Sequence, residues 1–230
     1  MMLPVNTLHP VRKPMYVTYG LIAVNALVFL WQLTLPPTEL YRSYMALALV
    51  PCQVASSGLN GEVVLDTLRS LFMHGGWIHL AGNMTFLWIF GRNVEEYFGH
   101  IRFLVLYLVW GALAAAAQVV VTSNQCIPNI GASGAIAGVL GSYLILYPGT
   151  RIRVLIIWFR FFPRFYHIPA LVVLGYWFIL QLFNGLLALN TEMLGGVGYF
   201  AHIGGFIGGL VLAFIYTMFN PPPRRVTYVD

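Results

Sequence analysis

FLVLYLVWGALAAAAQVVVTSNQCIPNIGASGAIAGVLGSYLILYPGT, residues 103–150, runs from Arg102 to Arg151 without a charged side chain. A helix that crosses a ~30 Å hydrocarbon core needs about 20 apolar residues. This stretch therefore has room for two crossings. The polar segment from Ser123 to Asn129, with Pro128 inside it, supplies the turn between them. The rest of the 230-residue chain has the same character, with 59% hydrophobic residues, 8% charged and a mean hydropathy of +0.78. A soluble domain carries about 25% charged residues because its surface must face water. Composition excludes a soluble enzyme, a disordered chain and a nucleic-acid binder, and places the protein in a lipid bilayer.

Charges punctuate the remaining sequence in the same way. Uncharged runs fall at 14–38, 70–91, 165–191 and 193–223. Together with the central pair they predict six transmembrane helices, at roughly 16–35, 75–91, 103–122, 131–148, 169–189 and 197–219. The expected fold class is an all-α membrane protein. Its six-helix bundle spans 16–219, between an N-terminal tail (1–15) and a C-terminal tail (220–230). With the N-terminus inside, ten of the twelve basic residues fall on the inner side, leaving only Arg42 and Arg69 outside. This positive-inside bias predicts that both termini are cytoplasmic. The first span lacks a following cleavage site and is expected to be retained. The basic stretch 152–165 reads as a plain cytoplasmic loop that helps set topology, although its amphipathic character would also suit the inner membrane surface. Cys52 and Cys126 both fall in outer loops, where a disulfide is permitted, but spacing alone does not pair them. No metal-ligand spacing appears, so neither a metal nor a cofactor is expected.

Polar groups inside a bilayer are costly, and each is a functional candidate by default. Asn25, Gln118, Gln181 and Asn184 are single amides in apolar helices, for which interhelical hydrogen bonding is the ordinary role. His79 and Asn83 differ, since their i, i+4 spacing places two hydrogen-bond donors on one helix face. Such a pair suits a developing negative charge or a carbonyl oxygen, and on its own equally a packing network. His74 lies off that face and is expected to tie down the outer loop. Ser133 opens the fourth helix within Gly131-Ala132-Ser133-Gly134, followed by Gly138 and Gly141. His202 stands above a second ladder at Gly204, Gly205, Gly208 and Gly209. Small-residue ladders let helix backbones approach closely. Helices two, four and six all run from outside to inside, so Ser133, His202, His79 and Asn83 share one depth. A hydroxyl, a base and converging donors form an acyl-transfer site. Of the seven acids only Glu192 is near His202 in sequence, and its loop position argues against a role as a buried orienter. The arrangement reads as a Ser–His dyad whose imidazole is held by packing and neighbouring hydrogen bonds.

These residues resemble the rhomboid family of intramembrane serine proteases. The likeness rests on His74-Gly75-Gly76-Trp77-Ile78-His79-Leu80-Ala81-Gly82-Asn83, on Gly91-x-x-x-Glu95-x-x-x-Gly99, on Gly131-Ala132-Ser133-Gly134 and on Ala201-His202-Ile203-Gly204-Gly205. The resemblance implies that Ser133 is the nucleophile and His202 the general base. It implies an oxyanion hole formed by His79, Asn83 and the Ser133 backbone N–H, and a structural brace at Glu95. It further implies single-span membrane proteins as substrates, cut near their outer ends. The six-span form is similar to the simpler prokaryotic members, which implies a bacterial inner (plasma) membrane with the site toward its outer face. Two positions depart from the family pattern. Leu68-Arg69 stands where many members carry Trp-Arg, and Ala137 stands where many carry a tyrosine that stacks on the histidine. The loop Thr191–Val197, with Gly195 and Gly196, is expected to cap the site. The competing readings are a catalytically silent member that binds or escorts membrane proteins, and, less well supported, a small transporter.

Overall fold

The computed structural model describes residues 2–158, 162–190 and 197–221. Residues 191–196 of the expected cap Thr191–Val197, Glu192 among them, and most of the C-terminal tail lie outside these described residues. The helices run in the order α1 (Tyr16–Gln32), α2 (Pro37–Leu47), α3 (Pro51–Ser57), α4 (Gly61–Ser70), α5 (Trp77–Phe86), α6 (Arg92–Phe98), α7 (His100–Thr122), α8 (Ser133–Leu146), α9 (Ala170–Asn190) and α10 (Tyr199–Phe219). A single π turn, Leu87–Gly91, joins α5 to α6, so the second apolar run is not a uniform helix. By length and composition α7, α9 and α10 are able to cross a membrane. Helices α1 and α8 are apolar but shorter, at 17 and 14 residues.

The chain is mostly helical, but it is not all-α. Strands β1 (Met2–Thr7), β2 (Arg151–Trp158) and β3 (Phe162–Pro169) form an antiparallel sheet in the order β1-β2-β3. The stretch read as a basic loop therefore contains two paired antiparallel strands, and part of the N-terminal segment pairs with the first. Register places Leu3 opposite Leu155 and Arg153 opposite His167. Ile152 and Val154 are fully buried, while Arg151 and Arg153, which alternate with them, are exposed. Apolar residues at every second position are the strand period, and β-branched side chains suit it. The Arg153 guanidinium lies over the Phe165 ring at 4.1 Å.

Three short helices, α2, α3 and α4, fill the segment between α1 and α5. Pro36 and Pro37 follow the end of α1 and open α2, and Pro51 opens α3. Proline is tolerated in a first turn, where its missing N–H would have had no partner. The Asn60 side chain caps α4 by accepting from the Val63 N–H at 3.0 Å. A disulfide joins Cys52 in α3 to Cys126 in the loop before α8. Three backbone bonds hold the same loop: Cys52 N–H to Gln125 O (3.0 Å), Asn129 N–H to Leu49 O (2.8 Å) and Gly131 N–H to Ser70 O (2.8 Å).

At the opposite end, Glu95 is fully buried. Its carboxylate accepts from the Val17 and Thr18 N–H groups (2.9 and 2.7 Å) and from the Thr18 hydroxyl (2.6 Å). Met15 provides no side-chain cap for α1, so this carboxylate satisfies N–H groups that have no partner within the helix. His100 Nδ1 lies 2.5 Å from the same carboxylate.

Helix α8 lies at the centre, with most of its residues buried. A Cβ built on Gly205 would meet Gly134 O at 2.0 Å, and one on Gly209 would meet Gly138 O at 2.0 Å. One on Gly141 would meet Phe206 O at 2.1 Å. Backbone therefore lies against backbone between α8 and α10, and only glycine fits there. Gly204 and Gly208 face α7 instead, toward Ala117 Cβ (2.3 Å) and Leu113 Cδ1 (2.7 Å). The α10 ladder thus serves two neighbours, with its 205/209 edge on α8 and its 204/208 edge on α7.

Candidate active site

Ser133 begins α8, and His202 lies in the first turn of α10. The glycine contacts below them bring these two helix starts together. Ser133 Oγ and His202 Nε2 are 2.8 Å apart, within the reach a nucleophile and its base require. The other ring nitrogen, Nδ1, lies 2.8 Å from Gln181 Oε1 on α9. The Gln181 amide also reaches backward, with Nε2 donating to Trp177 O at 3.3 Å. The Trp177 ring stands 5.8 Å from the His202 ring, centroid to centroid. Gln181 and Trp177 thus hold the imidazole in a chain where Ala137 leaves no stacking tyrosine.

The start of α10 is fixed from a third direction. Gln118 Oε1 on α7 accepts from the Ala201 N–H at 3.0 Å, satisfying an end-of-helix donor beside His202. Gln118 Nε2 is 3.2 Å from Thr122 Oγ1.

His79 and Asn83 lie on α5, facing the loop that leads into Ser133. Gly131 has φ +119°, and a Cβ built on it would meet His79 Nε2 at 2.7 Å and Asn83 Nδ2 at 3.5 Å. Glycine is needed here both for its backbone angle and for this close approach. The hydrogen bonds define which atoms donate. Gly75 N–H points at His79 Nδ1 in a long 3.4 Å contact, which leaves the ring proton on Nε2, toward Gly131. Asn83 Nδ2 lies 2.9 Å from His74 Nε2, and His74 Nδ1 lies 3.3 Å from Phe72 O. His74 therefore donates through Nδ1 and accepts through Nε2. Asn83 spends one amide hydrogen on His74 and keeps the other.

His74 proves closer to the site than its spacing suggested. Its backbone is clamped as expected, with its N–H donating to Gln32 Oε1 (3.0 Å) and its carbonyl accepting from Gln32 Nε2 (3.0 Å) and Tyr44 OH (2.9 Å). Its ring is fully buried and touches both Asn83 and His79, the latter at 5.0 Å between centroids. Residues 71–76 follow α4 without continuing its helix, so the spacing of a single helix places this side chain wrongly.

Ser133, His202, His79 and Asn83 are thus brought together at one end of the bundle, as the shared depth of their helices predicts. Gln181, Trp177 and His74 complete the cluster. Among the described residues, no group of three or more His, Cys, Asp or Glu is arranged to hold a metal ion.

The family model described as "Rhomboid domain" matches residues 62–219, which takes in every one of these side chains. The chain belongs to the rhomboid family. It is 32% identical over 157 residues to RHOMBOID-like protein 4 of Arabidopsis thaliana, covering 68% of this chain and 35% of that protein. It is 34% identical over 146 residues to Rhomboid protease GluP of Bacillus subtilis, covering 64% and 25% respectively. It is 28% identical over 198 residues to the human Presenilin-associated rhomboid-like protein, mitochondrial, covering 83% and 46%. The chain spans less than half the length of these relatives. As a rhomboid with helices of this length and apolarity, it is an integral membrane protein. Mitochondrial names stand beside the bacterial one, so the comparisons do not support the bacterial inner membrane expected from the six-span form.

Proposed function

We propose that this rhomboid is an intramembrane serine endopeptidase in which Ser133 and His202 form the catalytic dyad. The 2.8 Å contact between Ser133 Oγ and His202 Nε2 carries the reading. With its proton on Nδ1, His202 offers a bare Nε2 to the serine hydroxyl. The Ser133 oxygen attacks the scissile carbonyl carbon as its proton passes to Nε2. The carbonyl π electrons move onto oxygen, where the Ser133 N–H at the start of α8, the spare Asn83 hydrogen and His79 Nε2–H receive the charge. The intermediate collapses when the C–N bond breaks and Nε2–H protonates the leaving amine. Water, deprotonated by the same nitrogen, then releases the acyl group.

We further propose six crossings, by α1, α5–α6, α7, α8, α9 and α10, with both termini cytoplasmic and a catalytic unit over 16–219. Two observations support this orientation. The Cys52–Cys126 disulfide suits an oxidising outer compartment and is tied to the loop that enters Ser133. Arg151 and Arg153 sit in β2, beyond the other end of α8, where a positive-inside bias belongs. Fourteen residues at 1.5 Å each give α8 a length of about 21 Å, short of a ~30 Å core. We place that shortfall at the outer end, with Ser133 below the surface, where hydrolysis requires water to reach it. The substrates are single-span membrane proteins cut near their outer ends, where the helix opens to expose a carbonyl.

Purified protein incubated with a single-span model substrate tests the reading against Ser133→Ala and His202→Ala. Product from wild type and none from either equally folded variant is the expected result. Cleavage that survives Ser133→Ala overturns the assignment. Binding without cleavage by all three proteins points instead to the escort role.

A further inference from the structure

We propose that Gln181 is a positioning residue that fixes the tautomer of His202, holding the proton on Nδ1 so that Nε2 is free to take the Ser133 proton. The inference rests on the protease reading for its catalytic consequence, but the tautomer itself is a property of the resting protein.

A neutral imidazole carries one proton and two nitrogens, and only one of its two tautomers serves a serine. The choice depends on what faces the nitrogen away from the serine. Here that partner is Gln181 Oε1 at 2.8 Å. An amide can present either end, so its own orientation has to be decided as well. Trp177 O decides it, since a carbonyl only accepts and lies 3.3 Å from Gln181 Nε2. Turning the amide over would bring two acceptors together at Trp177 and aim an N–H at His202 Nδ1. One turn of α9 therefore sets the amide, the amide sets the imidazole, and the imidazole faces Ser133. Gln181 is 9% exposed, so water competes little for the contact.

The choice of an amide also has a physical reason. Helices α8, α9 and α10 contain no Asp or Glu. An ionised carboxylate at this depth would carry a desolvation cost that a neutral carbonyl avoids. The amide supplies the direction of a third triad member without its charge. It therefore orients the base but stabilises the imidazolium less than a carboxylate would. Where a carboxylate fixes the tautomer in a water-exposed serine protease, its conversion to an amide lowers kcat about 10⁴-fold. Loss of the neutral acceptor here is expected to cost less, on the order of 10–10².

Three proteins test this: wild type, Gln181→Leu and Gln181→Glu, each labelled with ¹⁵N-histidine and assayed with a single-span substrate. Ring-nitrogen spectra of the wild type are expected to place the His202 proton on Nδ1, and those of Gln181→Leu to show loss of that preference. In the assay, Gln181→Leu should lower kcat with KM unchanged, and Gln181→Glu, whose neutral carboxyl keeps a C=O acceptor for His202 and an O–H donor for Trp177 O, should restore most of it. A wild-type spectrum with the proton on Nε2 overturns the proposal even if no substrate is cut. So does a Gln181→Leu protein with wild-type spectrum and kcat. If wild type fails to cleave while its proton lies on Nδ1 and moves in Gln181→Leu, the protease reading falls and the tautomer assignment stands.

Discussion

Replacing Gly205 with alanine tests whether backbone contact between α8 and α10 sets the Ser133–His202 distance. The added Cβ would lie 2.0 Å from Gly134 O, a backbone atom of the residue next to Ser133. No side chain can swing away to relieve it. Moving that pair out to about 3.2 Å, the lower edge of ordinary contact, requires the helices to part by about 1.2 Å. Gly205 lies one turn below His202, so the opening is transmitted almost directly to the dyad. The Ser133–His202 separation would grow from 2.8 Å to about 4 Å, beyond a hydrogen bond. A misplacement of this size lowers rate about 10²-fold, and the overpacking itself costs about 1–3 kcal/mol of stability. Single-turnover cleavage of a single-span substrate in liposomes measures the rate, and thermal unfolding measures the remaining fold. Gly20→Ala is the control, because nothing lies within 4 Å of a Cβ there. Gly208→Ala should be intermediate, since it meets only the end of the Leu113 side chain, at 2.7 Å. A folded Gly205→Ala protein that cleaves as fast as wild type would refute the argument that these glycines set the site.

Asn83→Ala should lower kcat about 10²–10³-fold with KM little changed, because in the proposed mechanism the lost donor acts on a charge that exists only in the transition state; steady-state kinetics read this, and an equal loss in KM alone would place Asn83 in substrate binding instead. The Cys52–Cys126 bond closes a separation of 74 residues, worth about 4 kcal/mol in the loop-entropy account. The Cys52→Ser/Cys126→Ser protein should therefore melt about 10 °C lower. Reduction of the wild type should reproduce that shift, and an unchanged melting temperature would show that the backbone bonds to residues 125–131 suffice alone.

Much of the site was legible because its chemistry is written in residue types that a bilayer penalises. Ser133, His202, His79 and Asn83 stand out as polar groups in apolar runs, and the glycines around them announce close helix contact. Gln181 stood out equally, yet a lone amide carries no sign of its partner. Its contact with His202 depends on α9 turning that side chain inward and on Trp177 O fixing which end of the amide faces the ring. His74 was misplaced because the backbone from 71 to 76 turns, and helical spacing has no meaning across a turn.

The sequence by itself determined the bilayer environment, the approximate positions of the apolar helices and the four candidate residues near their ends. These follow from local quantities, namely charge spacing, apolar length and helical period. Only the tertiary structure decided the pairing of Cys52 with Cys126, the sheet formed by residues 2–7 with 151–169, and the edge of α10 that meets α8. Each of these is a contact between segments far apart in the chain, fixed by how several surfaces pack at once. The alternation at Ile152 and Val154 has the strand period, but alone it reads as a basic loop until Met2–Thr7 and Phe162–Pro169 are placed beside it. The hydrogen-bond directions around His202 belong to the same class, because a proton's place on a ring is settled by the groups that fold brings against it.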